Sequence, residues 1–307
     1  MADRTTRDGR PLDLHRLHQF LAVAEHAGFT SAATELHITQ QALSAAIGQL
    51  ERQLGVALFD RSGRRLSLTP AGEVLRDGTR ALLAAAATLA EQTHEAGAAA
   101  PRPFVIGHTP AITAEEAYLL MAPVRDRLPD VSLTARQMFP DVLVPALYDG
   151  EIDLALRRGV AMPADLASAI IAYDPVRIAV SGNHRLATRE SLHIDDLRDE
   201  SVIVWAPPGH SFYTDFLLST YRRAGIEPTF VVNRIQGTPP ITAVVDNNHI
   251  AFVTAPAGPT LAGRVTVIPL TDPPLAPTQA LWLPHTVSPI RDLLTAQRLG
   301  HDHVARP

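Results

Sequence analysis

Between residues 14 and 54 apolar side chains recur every three or four positions. Leu14, Leu17, Phe20, Leu21, Val23 and Ala24 form one set, Ala32, Ala33 and Leu36 a second, and Leu43, Ile47, Leu50 and Leu54 a third. That spacing lays each set along one side of a helix, so three helices are predicted. Gly28 ends the first, the hydroxyls of Thr30 and Ser31 suit the cap of the second, Ile38 fills the turn, and Thr39 caps the third. Leu58 and Phe59 then anchor a hairpin. Its turn carries Arg61, Arg64 and Arg65, and Leu66, Ser67 and Leu68 alternate as a returning strand. Thr69 followed by Pro70 opens another helix, which runs to about residue 95. Leu75, Leu82 and Leu89 repeat on it every seven residues, with Gly78 and Ala85 between them. This is the period of a coiled-coil seam. Such a stripe either packs on its own domain or pairs two copies, and the length and isolation of the helix point to pairing.

The rhythm changes after the Ala/Pro-rich stretch 98–103. Apolar strands are predicted at 104–107, 131–134, 152–156, 170–180 and 201–205, with helices at 113–128, 142–148 and 212–224 between them. The alternation continues through 229–235, 241–247 and 250–254, and ends with a strand at 280–283 and a helix at 289–298. Alternating strands and helices build an α/β sheet with crossover connections. A stretch of this length suits two lobes rather than one.

The third helix carries the first candidate chemistry. Opposite its apolar side lie Gln40, Gln41, Ser44, Ala45 and Gly48. That face is too polar for a core and too uncharged for an ordinary solvated surface. Glutamines can read base edges, and small residues let a helix sit deep in a major groove. Arginines on a hairpin directly after such a helix suit phosphate contact or minor-groove insertion. Helix, helix, turn, third helix and basic hairpin form a winged helix-turn-helix.

These residues resemble the DNA-binding domain of the LysR-type transcriptional regulators. The matching blocks are 29–36, Ile38-Thr39-Gln40 with Leu43-Ser44, Leu50-Glu51 with Leu54-Gly55, 58–61 and 68–72. Two positions depart from the family pattern: Gln41 stands in place of the usual proline, and Ala45 in place of a basic residue. Residues 104–107, 147–155, 222–228 and 250–255 resemble the family's effector domain, which is built like a periplasmic binding protein. The resemblance implies an α-helical winged helix-turn-helix domain (12–69) after a disordered arm (1–11), a dimerising linker helix (70–97) and a hinge (98–103). A two-lobed α/β effector domain (104–307) follows, with lobe 1 at 104–172 and 275–307 and lobe 2 at 173–274. DNA contacts are expected from Thr30, Ser31, Gln40, Gln41, Ser44, Arg61, Arg64 and Arg65. The expected partners are double-stranded DNA with an inverted-repeat operator, a small-molecule effector, and a second copy in a dimer or a tetramer. RNA polymerase is a further candidate. A ligand-independent DNA-binding regulator of the same fold is the alternative.

Ligands of open α/β sheets lie beyond the carboxyl ends of strands and between lobes. That rule selects Thr109, Met138, Phe139 and Arg158 in the first lobe, and Pro207, Ser211, Phe212 and Thr238 in the second. Arg158 falls where aromatic-acid-sensing relatives carry an effector-binding arginine. A small organic anion is therefore expected there, with Thr109 and Thr238 as hydrogen-bonding partners; the other reading of Arg158 is a surface salt bridge. Met138 and Phe139 serve ligand contact or lobe packing equally well, and Ser211 equally suits a helix cap.

Composition narrows the remaining choices. The formal net charge is −5, so positive charge for DNA must be local, and the hairpin supplies it. All 27 basic residues are arginine, which excludes a P-loop lysine and Schiff-base chemistry. The chain has no cysteine, which excludes disulfides and a thiol sensor such as the peroxide-sensing members use. His15 with His18, and His301 with His303, lack a third ligand nearby, so no metal is expected, and no cofactor. Gly209-His210-Ser211 lacks the closing glycine of a nucleophile elbow, since Tyr213 stands there. No catalytic constellation is present and an enzyme is not expected. The polar start and the short, alanine-rich apolar runs lead to a cytoplasmic protein with no membrane span.

Overall fold

The structure is a computed structural model that describes residues 11–26, 28–60, 66–96, 102–161, 163, 165–235 and 237–296. The expected arm falls almost wholly outside this range, as do Arg61, Arg64, Arg65, His301, His303 and much of the hinge. The chain divides into two compact units, one built on residues 1–100 and one on most of the remainder.

In the first unit, α1 (Leu14–His26), α2 (Phe29–Glu35) and α3 (Gln40–Leu54) bury the apolar sets seen in the sequence. Leu17, Phe20, Val23, Ala32, Leu43, Ile47 and Leu50 form its core, completed by Leu58 and Phe59. Phe59 packs its ring on Phe20 and Phe29 at centroid distances of 5.4 and 5.8 Å. The helix starts differ in one respect. α2 begins at Phe29 with Gly28 at its N-cap, so Thr30 and Ser31 lie inside the helix rather than capping it. The Ser31 hydroxyl instead donates back to the carbonyls of Gly28 and His26. His37 takes the left-handed conformation (φ 53°) that closes the turn into α3.

Strands β1 (Phe59–Asp60) and β2 (Ser67–Leu68) pair antiparallel as the base of the hairpin. α4 (Pro70–Ala96) follows, with the Thr69 hydroxyl accepting from the Gly72 amide at 3.1 Å. At 27 residues it is about 40 Å long. The leucine stripe is split: Leu75 and Leu82 pack on the core of their own unit, whereas Leu89 is 65% exposed. A heptad period fits either neighbour, so the spacing alone did not show that Leu75 and Leu82 meet their own unit.

The second unit holds two sheets. The first comprises β3 (Phe104–His108), β4 (Leu133–Gln137), β5 (Leu154–Arg158), β6 (Ala167–Pro175) and β13 (Leu275–Trp282), in the order β4-β3-β5-β13-β6. β4, β3 and β5 run parallel, while β13 runs antiparallel to β5 and β6. α5 (Ala114–Leu120), α6 (Ala122–Arg127) and α7 (Pro140–Tyr148) provide the crossovers, and α9 (Pro289–Thr295) returns to this core. The second sheet comprises β7 (Arg177–Ser181), β8 (Ser201–Val204), β9 (Thr229–Val232), β10 (Ile250–Val253), β11 (Gly258–Thr260) and β12 (Val265–Pro269), in the order β11-β12-β7-β10-β8-β9. α8 (Phe212–Arg223) packs on it, with Tyr221 edge-on to Phe252.

The single strand predicted at 170–180 is two strands that meet at Val176, one in each sheet. β6 stays in the first sheet to Pro175, past the lobe boundary expected at 172. The chain crosses again between β12 and β13, so each lobe has its own core and two connections join them.

Candidate nucleic-acid interface and interlobe cleft

α3 is amphipathic in the expected sense. Leu43, Ile47 and Leu50 are fully buried, while Gln40, Gln41 and Ala45 are exposed and Ser44 is half-buried. The Thr39 hydroxyl accepts from the Ala42 amide at 3.2 Å, and Gly55 closes the other end in the left-handed conformation (φ 72°). Thr30 lies beside this face, its hydroxyl donating to Gln40 Oε1 at 3.4 Å. The structure thus brings Thr30, Gln40, Gln41 and Ser44 to one exposed surface, with Ser31 exposed on the same short helix α2.

One positioning residue carried no chemical signal in the sequence. Glu51 Oε1 accepts from the Leu58 amide at 2.8 Å and the Phe59 amide at 3.4 Å. It ties the end of α3 to the first hairpin strand. Thr69 ties the other strand, through its hydroxyl to Ala57 O (2.8 Å) and its amide to Leu58 O (3.0 Å).

In the second unit two of the expected cleft residues, Phe139 and Phe212, come close to glycines of the opposite lobe. Thr109 follows β3; it is 5% exposed and its hydroxyl has no hydrogen-bond partner among the described residues. Met138 and Phe139 follow β4, and Phe139 is 43% exposed. In the second lobe Pro207 is exposed after β8, Phe212 (41% exposed) begins α8, and Thr238 is half-buried. The rings reach across: a Cβ added to Gly237 would lie 3.3 Å from Phe139, and one added to Gly159 would lie 3.2 Å from Phe212. Gln137 Nε2 donates across to Gly237 O at 2.9 Å. Ser211 is the N-cap of α8, its hydroxyl accepting from the Thr214 amide, so its side chain is committed to the helix.

Arg158 requires correction. It is not in a loop beyond β5 but is the last residue of that strand, opposite Thr278 of β13. It is 4% exposed, and its guanidinium is surrounded by Glu116, Asp174, Thr254, Thr278 and the Ala111 carbonyl. Burial alone would lower its pKa, but the carboxylates of Glu116 and Asp174 outweigh that and raise it. Arg158 is thus held in salt bridges to Glu116 and Asp174, as one of the two readings had it, but these are buried rather than on the surface. Arg157 is also taken, donating to Gln279 Oε1 at 2.9 Å and to the Ala161 carbonyl. Between the lobes a cavity of about 20 Å³ remains, lined by residues including Ala111, Thr113, Tyr213, Ile241 and Thr254. That is room for roughly one water molecule.

Among the described residues no group of three or more histidine or acidic side chains could hold a metal ion. No helix there is long and apolar enough to cross a membrane.

A winged helix-turn-helix on one unit and a two-lobed α/β fold with an interlobe cleft on the other define a DNA-binding regulator with an effector domain. Residues 14–73 match the family model described as bacterial regulatory helix-turn-helix protein, lysR family, and residues 99–296 match the LysR substrate binding domain. The chain belongs to the LysR family of transcriptional regulators, which is not a family of enzymes. It is 31% identical over 220 residues to the uncharacterized HTH-type transcriptional regulator YnfL of Escherichia coli (strain K12), covering 71% of this chain and 73% of that protein. It is 30% identical over 221 residues to AlsR of Bacillus subtilis (strain 168), covering 72% and 73% respectively. Its fold is similar to that of full-length CbnR complexed with its target DNA, with a TM-score of 0.55 at 19% identity over 93% of this chain and 98% of that one.

Proposed function

We propose that this chain binds an inverted-repeat operator as a dimer and changes its grip on that DNA when an effector enters the interlobe cleft. Gln40, Gln41 and Ser44 read base edges, and Thr30 and Ser31 contact the backbone beside them. Arg61, Arg64 and Arg65 hold phosphates or the minor groove. The observation that carries this reading is the face of α3: two glutamines and small residues left exposed on a helix whose other side is fully buried. The departures from the family pattern, Gln41 and Ala45, both lie on that face, so the operator preferred by this chain differs from those of relatives with proline and a basic residue there.

The second copy docks through α4. Val74 and Leu89 stand 75% and 65% exposed on it, and an open apolar groove of about 480 Å³ runs between the helix and its domain, lined among others by Leu12, Val56, Val74 and Gly78. A two-fold dimer requires a two-fold operator. Dimers pair further into tetramers, RNA polymerase is the machinery it meets at the promoter, and the cytoplasm is where it works. A footprint of the full-length protein on the DNA upstream of its own gene and the divergent neighbouring gene tests this reading. Protection of a sequence dyad is expected; protection without sequence preference would refute it.

A further inference from the structure

The Arg158 network can be counted donor by donor. A guanidinium has five N–H groups. Nε donates to Ala111 O at 3.4 Å. Nη1 donates to Thr278 Oγ1 at 2.5 Å and to Asp174. Nη2 donates to Glu116 Oε1 at 2.7 Å and to Thr254 Oγ1 at 3.0 Å. Ala276 O lies a further 3.5 Å from Nη1, so the five donors face six acceptors and none remains for an incoming carboxylate.

The partners come from both lobes. Glu116, Asp174, Thr278 and Arg158 itself belong to the first, and Thr254, directly after β10, belongs to the second. The Thr254 hydroxyl accepts from Arg158 and donates to Glu116 Oε1 at 2.6 Å, so one carboxylate oxygen draws both lobes together. Arg177 of β7 holds the same segment by donating to Thr254 O (2.9 Å) and Ala255 O (3.1 Å). Glu116 is itself fixed: its second oxygen accepts from the Thr113 amide at 2.7 Å in the capping box of α5. A carboxylate ligand seeking Arg158 would have to displace an acid that is already bound and already oriented. Charge-assisted bonds of this kind are the strong class, and leaving any member buried without its partner is costly.

We propose that Glu116 is a built-in counter-ion that fills the anion subsite beside Arg158, draws Thr254 of the opposite lobe onto the first, and reserves the cleft for effectors without a carboxylate at that point. This rests on the reading of the interlobe cleft as the effector site, and names what that site refuses.

The test uses the full-length protein and the fluorescence of Trp205 and Trp282, both in the second unit, to follow its thermal unfolding. Sodium acetate and sodium benzoate are titrated against sodium chloride at equal ionic strength. The native protein should respond to neither beyond the chloride control. Glu116→Ala opens the subsite and should gain a saturable, acetate-specific rise in unfolding temperature of several degrees. Saturable stabilisation of the native protein by benzoate would overturn the proposal, and so would a folded Glu116→Ala protein indifferent to acetate. Glu116→Gln, which keeps an oxygen for the α5 cap, guards against a variant that fails to fold. Amide exchange at residues 250–255 should speed up at least tenfold in it while α1–α3 stay unchanged; unchanged exchange at 250–255 would also overturn the proposal. Operator binding, on which the regulator reading depends, is measured separately from all three arms.

Discussion

Gly72 provides the sharpest test of how the linker helix is seated. It lies in the first turn of α4, where a helix would ordinarily gain about 1 kcal/mol from alanine. Here an added Cβ would sit 2.1 Å from the Leu58 carbonyl oxygen and 3.0 Å from the Leu68 side chain. Ordinary contact begins near 3.4 Å, so the first turn would have to withdraw by more than 1 Å. That motion breaks the bond from the Thr69 amide to Leu58 O and loosens the one from the Thr69 hydroxyl to Ala57 O. Each contributes about 1 kcal/mol, and overpacking of the site costs a further 1–3 kcal/mol, roughly. The losses exceed the propensity gain, leaving Gly72→Ala destabilised by about 2–3 kcal/mol. For a unit of this size that lowers the unfolding temperature by roughly 10–20 °C. Circular dichroism at 222 nm follows the helices of both units, and Trp205 and Trp282 report the second alone, so the transition seen by dichroism but not by fluorescence belongs to the first. The expected outcome is a large drop in the first transition with the fluorescence transition unmoved. A variant as stable as the native protein, or more stable, would refute the close approach of α4 to the hairpin.

Removing the cap of the recognition helix by Thr39→Ala should cost about 1 kcal/mol in chemical denaturation and weaken DNA binding in parallel. His37→Gly should act in the opposite direction, stabilising the first unit by about 0.5–1 kcal/mol, because it relieves a left-handed conformation on a residue with a Cβ. The Tyr213 hydroxyl has its pKa pushed up to about 12, chiefly by burial and further by Glu116 and Asp174, with Arg158 opposing. Because the folded value lies above the ordinary 10, this stability is complete below pH 10 and is lost as pH rises through about 12; Tyr213→Phe should abolish that part of the alkaline loss in a pH series of thermal melts. Gln41→Ala should relax operator preference by about 1–3 kcal/mol, read as the ratio of affinities for operator and unrelated DNA.

How far the sequence could be read depended on the range of each interaction. The helices of the first unit were legible because Leu43, Ile47 and Leu50 declare a buried face within a single element, and because caps such as Thr39 and Thr69 act over three residues. The leucine stripe was only half legible, since Leu75 and Leu82 obey a heptad while packing on their own domain. The burial of Arg158 could not be read at all. Its partners at 111, 116, 174, 254, 276 and 278 are distant in sequence and meet only because α5 with the loop before it, β6, the end of β10 and β13 converge on the end of β5. Two adjacent arginines look like a solvated loop until β13 is seen to offer Thr278 and Gln279 opposite them. The lobe crossing was obscured for a related reason: residues 167–181 are almost uninterrupted in strand character, and the break at Val176 appears only when two sheets claim the two halves.

The central claim is that the exposed glutamine face of α3 reads DNA sequence. The most direct measurement is selection of bound fragments from a random duplex pool by the full-length protein, run beside Gln41→Ala at the same salt concentration. The account predicts that the native protein enriches a two-fold symmetric sequence, and that Gln41→Ala loses preference at symmetry-related base pairs while still binding duplex DNA. A native protein that enriches nothing, or a variant that enriches the same dyad equally well, would contradict it.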